Sequence, residues 1–241
     1  MKTIPEQIIC ADNMRSFCYT NAHLVTRARG ILLTLHGRGD PGTLSDSPWA
    51  ELLAEKGIVQ IFPYYDPWAW LNRSAVNLCD ALIGVICSRF GLGEEPLLVC
   101  EGGSMGGLSA LLYPIVGRYK PAAAAANCPA CDLVYHYSAR PDLPRYFVCA
   151  YGGGEETDVE AVMKAHSPMH RLEELPDIPI LLVHGLADPM IAAGPNSETF
   201  ARRVNERGGR AVYIPVEGMG HCNMPEETAK KYNDYILSFF A

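Results

Sequence analysis

A serine, an aspartate and a histidine are the residues of this chain whose types and settings can do chemistry together. Ser104 stands in Gly102-Gly103-Ser104-Met105-Gly106-Gly107, after the apolar run Leu97-Leu98-Val99-Cys100 and before Leu108-Ser109-Ala110-Leu111-Leu112. As strand, sharp turn and helix, a Gly-x-Ser-x-Gly segment holds its serine in a strained backbone conformation, and its glycines let neighbouring segments approach. The hydroxyl then stands at a helix N-terminus, where free N–H groups and the helix dipole favour developing negative charge. A serine hydroxyl is a poor nucleophile at neutral pH unless a histidine takes its proton, and that histidine needs an acid to fix its tautomer. Asp188, in His184-Gly185-Leu186-Ala187-Asp188-Pro189, and His221, in Gly218-Met219-Gly220-His221, each follow a predicted strand. Without these two companions the serine segment would read equally well as an ordinary glycine-rich turn.

Acyl transfer also needs two preorganised donors for the oxyanion of the tetrahedral intermediate. One is expected to be the backbone N–H of Met105. The other is expected from His36-Gly37-Arg38-Gly39-Asp40, directly after a predicted strand, with Arg38 N–H as the donor and Gly37 as the fallback.

The elements that must position these groups follow a βαβα rhythm, which predicts an α/β fold with a mostly parallel sheet flanked by helices. Strands are expected over 31–35, 58–62, 97–100, 122–126, 180–183 and 211–215, and helices over 47–56, 74–90, 105–119, 195–208 and 225–240. Residues 7–28 suggest two edge strands. Ser104, Asp188, His221 and the His36 loop all leave the carboxyl ends of strands, the edge where open α/β sheets bind ligands. One domain is expected over 1–241. The segment 127–179, with its Gly152-Gly153-Gly154-Glu155-Glu156 stretch, is longer than a plain crossover needs and is expected to fold partly over the site as a small lid.

Other residues compete for these roles. Asp158 and Asp177 do not directly follow a strand, whereas Asp132 follows one closely and stays open on this ground. His136, His166 and His170 fall in the lid-like segment, where surface or capping roles are ordinary. The run Phe62-Pro63-Tyr64-Tyr65-Asp66-Pro67-Trp68-Ala69-Trp70 hangs at the same edge, so Tyr65, Trp68 and Trp70 are candidate substrate contacts or, equally, packing for the lid. Arg38, Arg73, Arg140 and Arg145 are candidates to read a substrate carboxylate. Cys128-Pro129-Ala130-Cys131 has the spacing of half a metal site, but no second Cys-x-x-Cys completes a tetrad, so the pair reads as structural, as do Cys100 and Cys222.

The order Ser104, Asp188, His221 and the run Ile178-Pro179-Ile180-Leu181-Leu182-Val183-His184-Gly185-Leu186-Ala187-Asp188-Pro189, preceded by Ala165-His166-Ser167-Pro168, resemble a single-domain α/β-hydrolase. The chain is most similar to the branch holding prolyl-oligopeptidase catalytic domains, acetyl-xylan-esterase-like enzymes and dienelactone-hydrolase-like proteins. That resemblance covers the chain from about residue 30 onward and implies Asp188 as the acid. It departs from dienelactone hydrolases in having serine as nucleophile, and from prolyl oligopeptidases in showing no preceding propeller.

Composition is that of a soluble globule: 49% hydrophobic and 20% charged residues among 241, with a formal net charge of −7. No run approaches the ~18 apolar residues of a membrane span. The acidic balance argues against nucleic acid or an anionic membrane as partner. Nine cysteines in scattered positions and a start without an apolar leader suggest a cytoplasmic protein. The resulting expectation is a serine hydrolase acting on a small-molecule carboxylic ester of a small or medium acyl group, with no cofactor or metal. A prolyl-oligopeptidase-like peptidase or amidase, and a non-catalytic ligand-binding scaffold, are the alternatives.

Overall fold

In the computed structural model, which describes residues 2–40, 44–152 and 158–241, seven strands form one sheet in the order β1-β3-β2-β4-β5-β6-β7. These are β1 (Cys18–Thr20), β2 (Gly30–Leu35), β3 (Ile58–Pro63), β4 (Leu98–Gly103), β5 (Ala123–Asn127), β6 (Pro179–Gly185) and β7 (Arg210–Val216). Only the β1–β3 pair is antiparallel among them; the other five pairings are parallel. The central strands are continuous apolar runs because both faces are covered. Ile31 and Leu33 join the core on one face while Leu32 joins the core on the other, the period-two alternation of a strand.

Two of the helices on the first face are α3 (Arg73–Phe90) and α4 (Met105–Val116); α2 (Pro48–Glu55) and α9 (Glu226–Ser238) cover the second. Helix starts follow the side chains that precede them. Ser47 accepts the Ala50 N–H at 3.2 Å and Asn72 accepts the Ala75 N–H at 3.0 Å, each satisfying a donor that the first turn leaves free. The alanine run becomes β5 despite its helix propensity. It lies between β4 and β6, where small side chains let Leu111 of α4 pack on Ala124 and Ala126, and Tyr232 of α9 join Ala123 and Ala125.

The expected strands and helices are present with shifts of a few residues at their ends, and two regions differ. Over 7–28 only β1 forms. Upstream of it, Ile4–Ile8 is a short helix, α1, started by the reciprocal Thr3–Glu6 capping box with Pro5 in its first turn, and Met14–Ser16 is a 3₁₀ turn. The helix expected over 195–208 opens as a π-turn, Gly194–Glu198, before α8 (Thr199–Glu206).

Between β5 and β6 lie α5 (Leu133–Ala139), α6 (Pro144–Tyr151) and α7 (Val159–Ala165). Residues 153–157 of the glycine-rich stretch lie outside the described residues. The α5–α6 portion docks on loops that leave the carboxyl edge of the sheet. Tyr146 stacks on Trp68 with centroids 6.0 Å apart, Tyr151 Oη donates to Trp70 O at 2.7 Å, and Arg140 Nη1 donates to Met190 O at 3.2 Å.

Candidate active site

Ser104 links β4 to α4 with φ 58° and ψ −121°, a conformation a non-glycine residue adopts at a cost of about 1–3 kcal/mol. Its surroundings impose it. The Ser104 N–H donates to Asn127 O on β5 at 2.8 Å, and the Leu108 N–H donates to Ser104 O at 3.0 Å to close the first turn of α4. The turn packs so closely against β2 that a Cβ at Gly102 would lie 2.6 Å from Leu35 O, and one at Gly106 would run into the same oxygen. Glycine at both positions is therefore a matter of space.

His221 and Asp188 complete a hydrogen-bonded line. His221 Nε2 lies 2.9 Å from Ser104 Oγ, and His221 Nδ1 lies 2.7 Å from Asp188 Oδ2. Asp188 is buried, its side chain 1% exposed, while His221 keeps 24% of its side chain exposed toward solvent. The other carboxylate oxygen, Oδ1, accepts the N–H groups of Met190 at 2.8 Å and Ile191 at 3.0 Å. Burial by itself would push the Asp188 carboxyl up; hydrogen bonds from His184, His221 and those two N–H groups outweigh it and hold the group well below the usual carboxylate range. For His221, burial disfavours the charge, but the Asp188 carboxylate and the nearby Cys128 sulfur raise the imidazole to about 9. A carboxylate on Nδ1 fixes the proton there, so the neutral ring, formed as pH rises through about 9, faces Ser104 with the Nε2 lone pair.

Sequence reasoning missed the support behind Asp188. His184 is fully buried; its Nε2 lies 2.9 Å from Ile191 O and 3.4 Å from Asp188 Oδ2, and its Nδ1 lies 2.7 Å from Ser197 Oγ. The carbonyl places the proton on Nε2, so Nδ1 accepts the Ser197 hydroxyl. This second Ser–His pair has no exposure on either residue, which makes it a brace for the Asp188 loop. The signal was in the sequence, in the His-Gly that precedes Asp188.

The positions expected to hold an oxyanion border Ser104. Met105 begins α4, and the first helical bond is donated by Leu108, so the Met105 N–H belongs to the turn that has no intrahelical acceptor. On the opposite side a Cβ on Gly37 would lie 4.0 Å from Ser104 Cβ, which puts the loop after β2 against the serine. That loop is fixed by His36, which stacks on Tyr65 at 3.9 Å and faces Gly37 O and Tyr65 O at 2.9 and 3.2 Å. The Arg38 side chain turns toward the rim, 3.4 Å from Asp142 and over the Tyr146 ring.

The three aromatic candidates separate. Trp68 is 39% exposed at the rim. Trp70 and Tyr65 are buried, Trp70 against Phe147 at 4.7 Å and Tyr65 beneath His36, so both pack the loops in place of forming an open wall. The competitors are accounted for elsewhere. Asp158 and Asp132 cap α7 and α5, Asp177 pairs with Arg210, and His170 pairs with Asp132. His136 and His166 are pushed down to about 4, chiefly by burial, with Arg140 and Arg38 adding for the first and Arg171 for the second.

The cysteines separate. All nine are free thiols. Cys131 is buried with its thiol pushed well up by desolvation, as a structural cysteine should be. Cys128 pairs instead with Cys222: the Cys222 N–H donates to Cys128 Sγ at 3.4 Å, and Cys222 Sγ lies 3.8 Å from His221 Nε2. The hydrogen bond from the Cys222 thiol lowers Cys128, and its counterpart Cys222 is raised. Both residues have positive φ, 47° and 56°. Cys222 is therefore part of the site's wall.

Solved structures share this architecture. Puromycin hydrolase superposes with a TM-score of 0.72 at 21% identity over 90% of this chain and 34% of its own. Acylaminoacyl peptidase of Pyrococcus horikoshii gives 0.69 at 14% over 89% and 37%, and Thermogutta terrifontis esterase 2 gives 0.59 at 18% over 88% and 84%. The chain thus spans about a third of the length of puromycin hydrolase and of the acylaminoacyl peptidase. No curated protein matches it significantly by sequence. The α/β-hydrolase architecture expected from the sequence is the one found, and the profile of the prolyl oligopeptidase family matches residues 87–241, from α3 through β4, Ser104, Asp188 and His221 to the end. On that match the chain belongs to the prolyl oligopeptidase family.

Proposed function

We propose that this chain is a serine hydrolase that cleaves a carboxylic ester of a small or medium acyl group through Ser104, His221 and Asp188. The observation that carries the reading is the Ser104–His221–Asp188 line, 2.9 and 2.7 Å, at a strained turn on the ligand-binding edge of the sheet. Ser104 Oγ attacks the ester carbonyl as its proton passes to His221 Nε2. The oxyanion is held by the N–H of Met105 and that of Arg38, with Gly37 the alternative donor. His221 then returns the proton to the departing alkoxide, and a water, deprotonated by the same nitrogen, releases the acyl group from Ser104. Asp188 stays ionised throughout and keeps the imidazole oriented.

The small or medium acyl group is supported by the rim, where Trp68 and Tyr146 stack face to face and Arg38, whose guanidinium lies over the Tyr146 ring, joins Arg140 and Asp142 in a charged cluster. The match to an esterase over nearly the whole of both chains favours an ester. A second reading, cleavage of a peptide or arylamide bond, is favoured by the family match and by the superposition on an acylaminoacyl peptidase. The test is a panel of aryl esters from acetyl to long-chain acyl beside aminoacyl and prolyl arylamides and an unactivated peptide, with wild type and Ser104→Ala. Ester turnover lost in Ser104→Ala supports the proposal. Clean peptide cleavage that depends on Ser104 would replace it with the second reading.

A further inference from the structure

The pairing of Cys128 with Cys222 is not needed for the hydrolysis just described, yet it stands against the nitrogen that Ser104 uses. We propose that Cys128 Sγ, Cys222 Sγ and His221 Nε2 form a capture site for a thiophilic divalent cation, zinc foremost, which switches off the Ser104 site by occupying His221. The proposal rests on the reading of His221 as the base for Ser104.

Geometry carries it. One ligand atom from each of the three residues lies within 4.8 Å of the other two, and Cys222 Sγ is 3.8 Å from His221 Nε2. A tetrahedral zinc ion with ordinary Zn–S and Zn–N bonds places sulfur and nitrogen about 3.6 Å apart and two sulfurs about 3.8 Å apart. The three residues are thus within a small inward movement of a zinc triad, with a fourth position left for water. Two thiolates and an imidazole are the donor set of a zinc site, whereas magnesium and calcium select oxygen.

The surroundings suit such a site. The Cys222 N–H donates to Cys128 Sγ, an outer hydrogen bond that supports charge on sulfur. Asn127 Nδ2 holds the Cys222 carbonyl at 3.2 Å, and its Oδ1 is buried beside the cluster without a partner among the described residues. Both cysteines have positive φ, a conformation that non-glycine residues keep where the surrounding fold imposes it, often at functional sites. Cys128 is buried while His221 and Cys222 are partly exposed, so an ion enters past the latter two. A neighbouring group, Cys128 with His184 and Asp188, already has its imidazole and carboxylate engaged in the brace and is the poorer site.

Binding involves no redox step. The protons carried by the two sulfurs and by Nε2 of the charged imidazole pass to solvent, the two sulfurs and Nε2 donate lone pairs to the ion, and His221 exchanges its hydrogen bond with Ser104 for a metal bond. Ser104 then has no acceptor for its proton.

The test uses the full chain with the two exposed thiols replaced, Cys10→Ser and Cys149→Ser, titrated with cobalt as a spectroscopic stand-in for zinc. The expected result is a thiolate-to-cobalt charge-transfer band that saturates at one equivalent, is displaced by zinc, and is lost in Cys222→Ser. Zinc should lower aryl-ester turnover at least ~10-fold, reversibly with a chelator, and Cys222→Ser should raise the half-inhibiting zinc concentration by a similar factor. Cys128→Ser, where it folds, should behave alike. A missing band, a band that survives the Cys222→Ser change, or equal zinc inhibition in that variant overturns the site. Turnover without the band removes the metal site and spares the hydrolase; the band without any turnover removes the hydrolase and, with it, the inhibitory role.

Discussion

In the proposed reaction only neutral imidazole can take a proton from Ser104, so the protonation of His221 would set the pH range of activity. Asp188 and Cys128 raise His221 to about 9, above its ordinary value of 6.5. The free enzyme should therefore gain activity as pH rises through about 9 and lose it, about tenfold per pH unit, as pH falls below that. In stability the sign is opposite: charged His221 beside Asp188 stabilises the fold fully below 6.5, and this contribution is lost as pH rises through about 9. Removing the sulfur beside the ring should move the acid limb downward, so Cys128→Ser should keep more of its maximal kcat/KM at neutral pH than wild type. A pH profile of aryl-ester hydrolysis for the two proteins checks both statements, and superimposable profiles would refute the second. Ser104→Ala and His221→Ala should each cost on the order of 10⁶ in kcat, and Asp188→Asn on the order of 10⁴, because the three groups act as a unit. Retention by Ser104→Ala of more than about a tenth of wild-type turnover would remove it from the reaction, since no background route approaches that rate.

At the scale of elements, the turn between β4 and α4 has no room to relax. A methyl group at Gly106 meets the Leu35 carbonyl, so Gly106→Ala should destabilise the fold by about 1–3 kcal/mol or more and misplace Ser104 together with it. Urea unfolding and ester turnover measured on the same variant would show both losses; a variant of wild-type stability would contradict the packing described. The two tryptophans should part company. Trp68→Ala, at the exposed rim, should change the ratio of acetyl to longer-chain ester turnover, whereas Trp70→Ala, buried against Phe147, should cost about 3–5 kcal/mol of stability. Sequence alone treated these tryptophans alike, because burial here depends on Phe147 and on the docking of α6, which no local pattern reveals. The central strands and the Ser104 turn were legible because their cause is local: continuous apolar runs, and glycines at fixed offsets from serine. The first segment was not: of the two edge strands expected over 7–28 only β1 forms, preceded by the 3₁₀ turn Met14–Ser16, whose i to i+3 bonding no apolar pattern marks. The nearness of Cys222 to Cys128 was not legible either, because the two lie 94 residues apart in sequence and only the fold brings them together.

For the molecule as a whole, membership in the prolyl oligopeptidase family and the parallel sheet set the site on one edge, with α5 and α6 docked on the loops that border it. Among the described residues no helix is long and apolar enough to cross a membrane. The bond cleaved follows from how the leaving group is handled. An ester releases an alkoxide with modest need for protonation, whereas an amide needs His221 to protonate a poor leaving group and the substrate to be held in register. Small aryl esters are accordingly expected to exceed matching arylamides in kcat/KM by at least ~10³, about 4 kcal/mol of transition-state stabilisation, in a side-by-side assay. Both bonds would be cut by the same nucleophile, so the most direct test of the account does not depend on the substrate. Wild-type protein treated with a fluorophosphonate and mapped by peptide mass should carry one adduct, on Ser104, and Ser104→Ala should carry none. An adduct on another serine, such as Ser197, or no adduct on folded protein at alkaline pH, would contradict it.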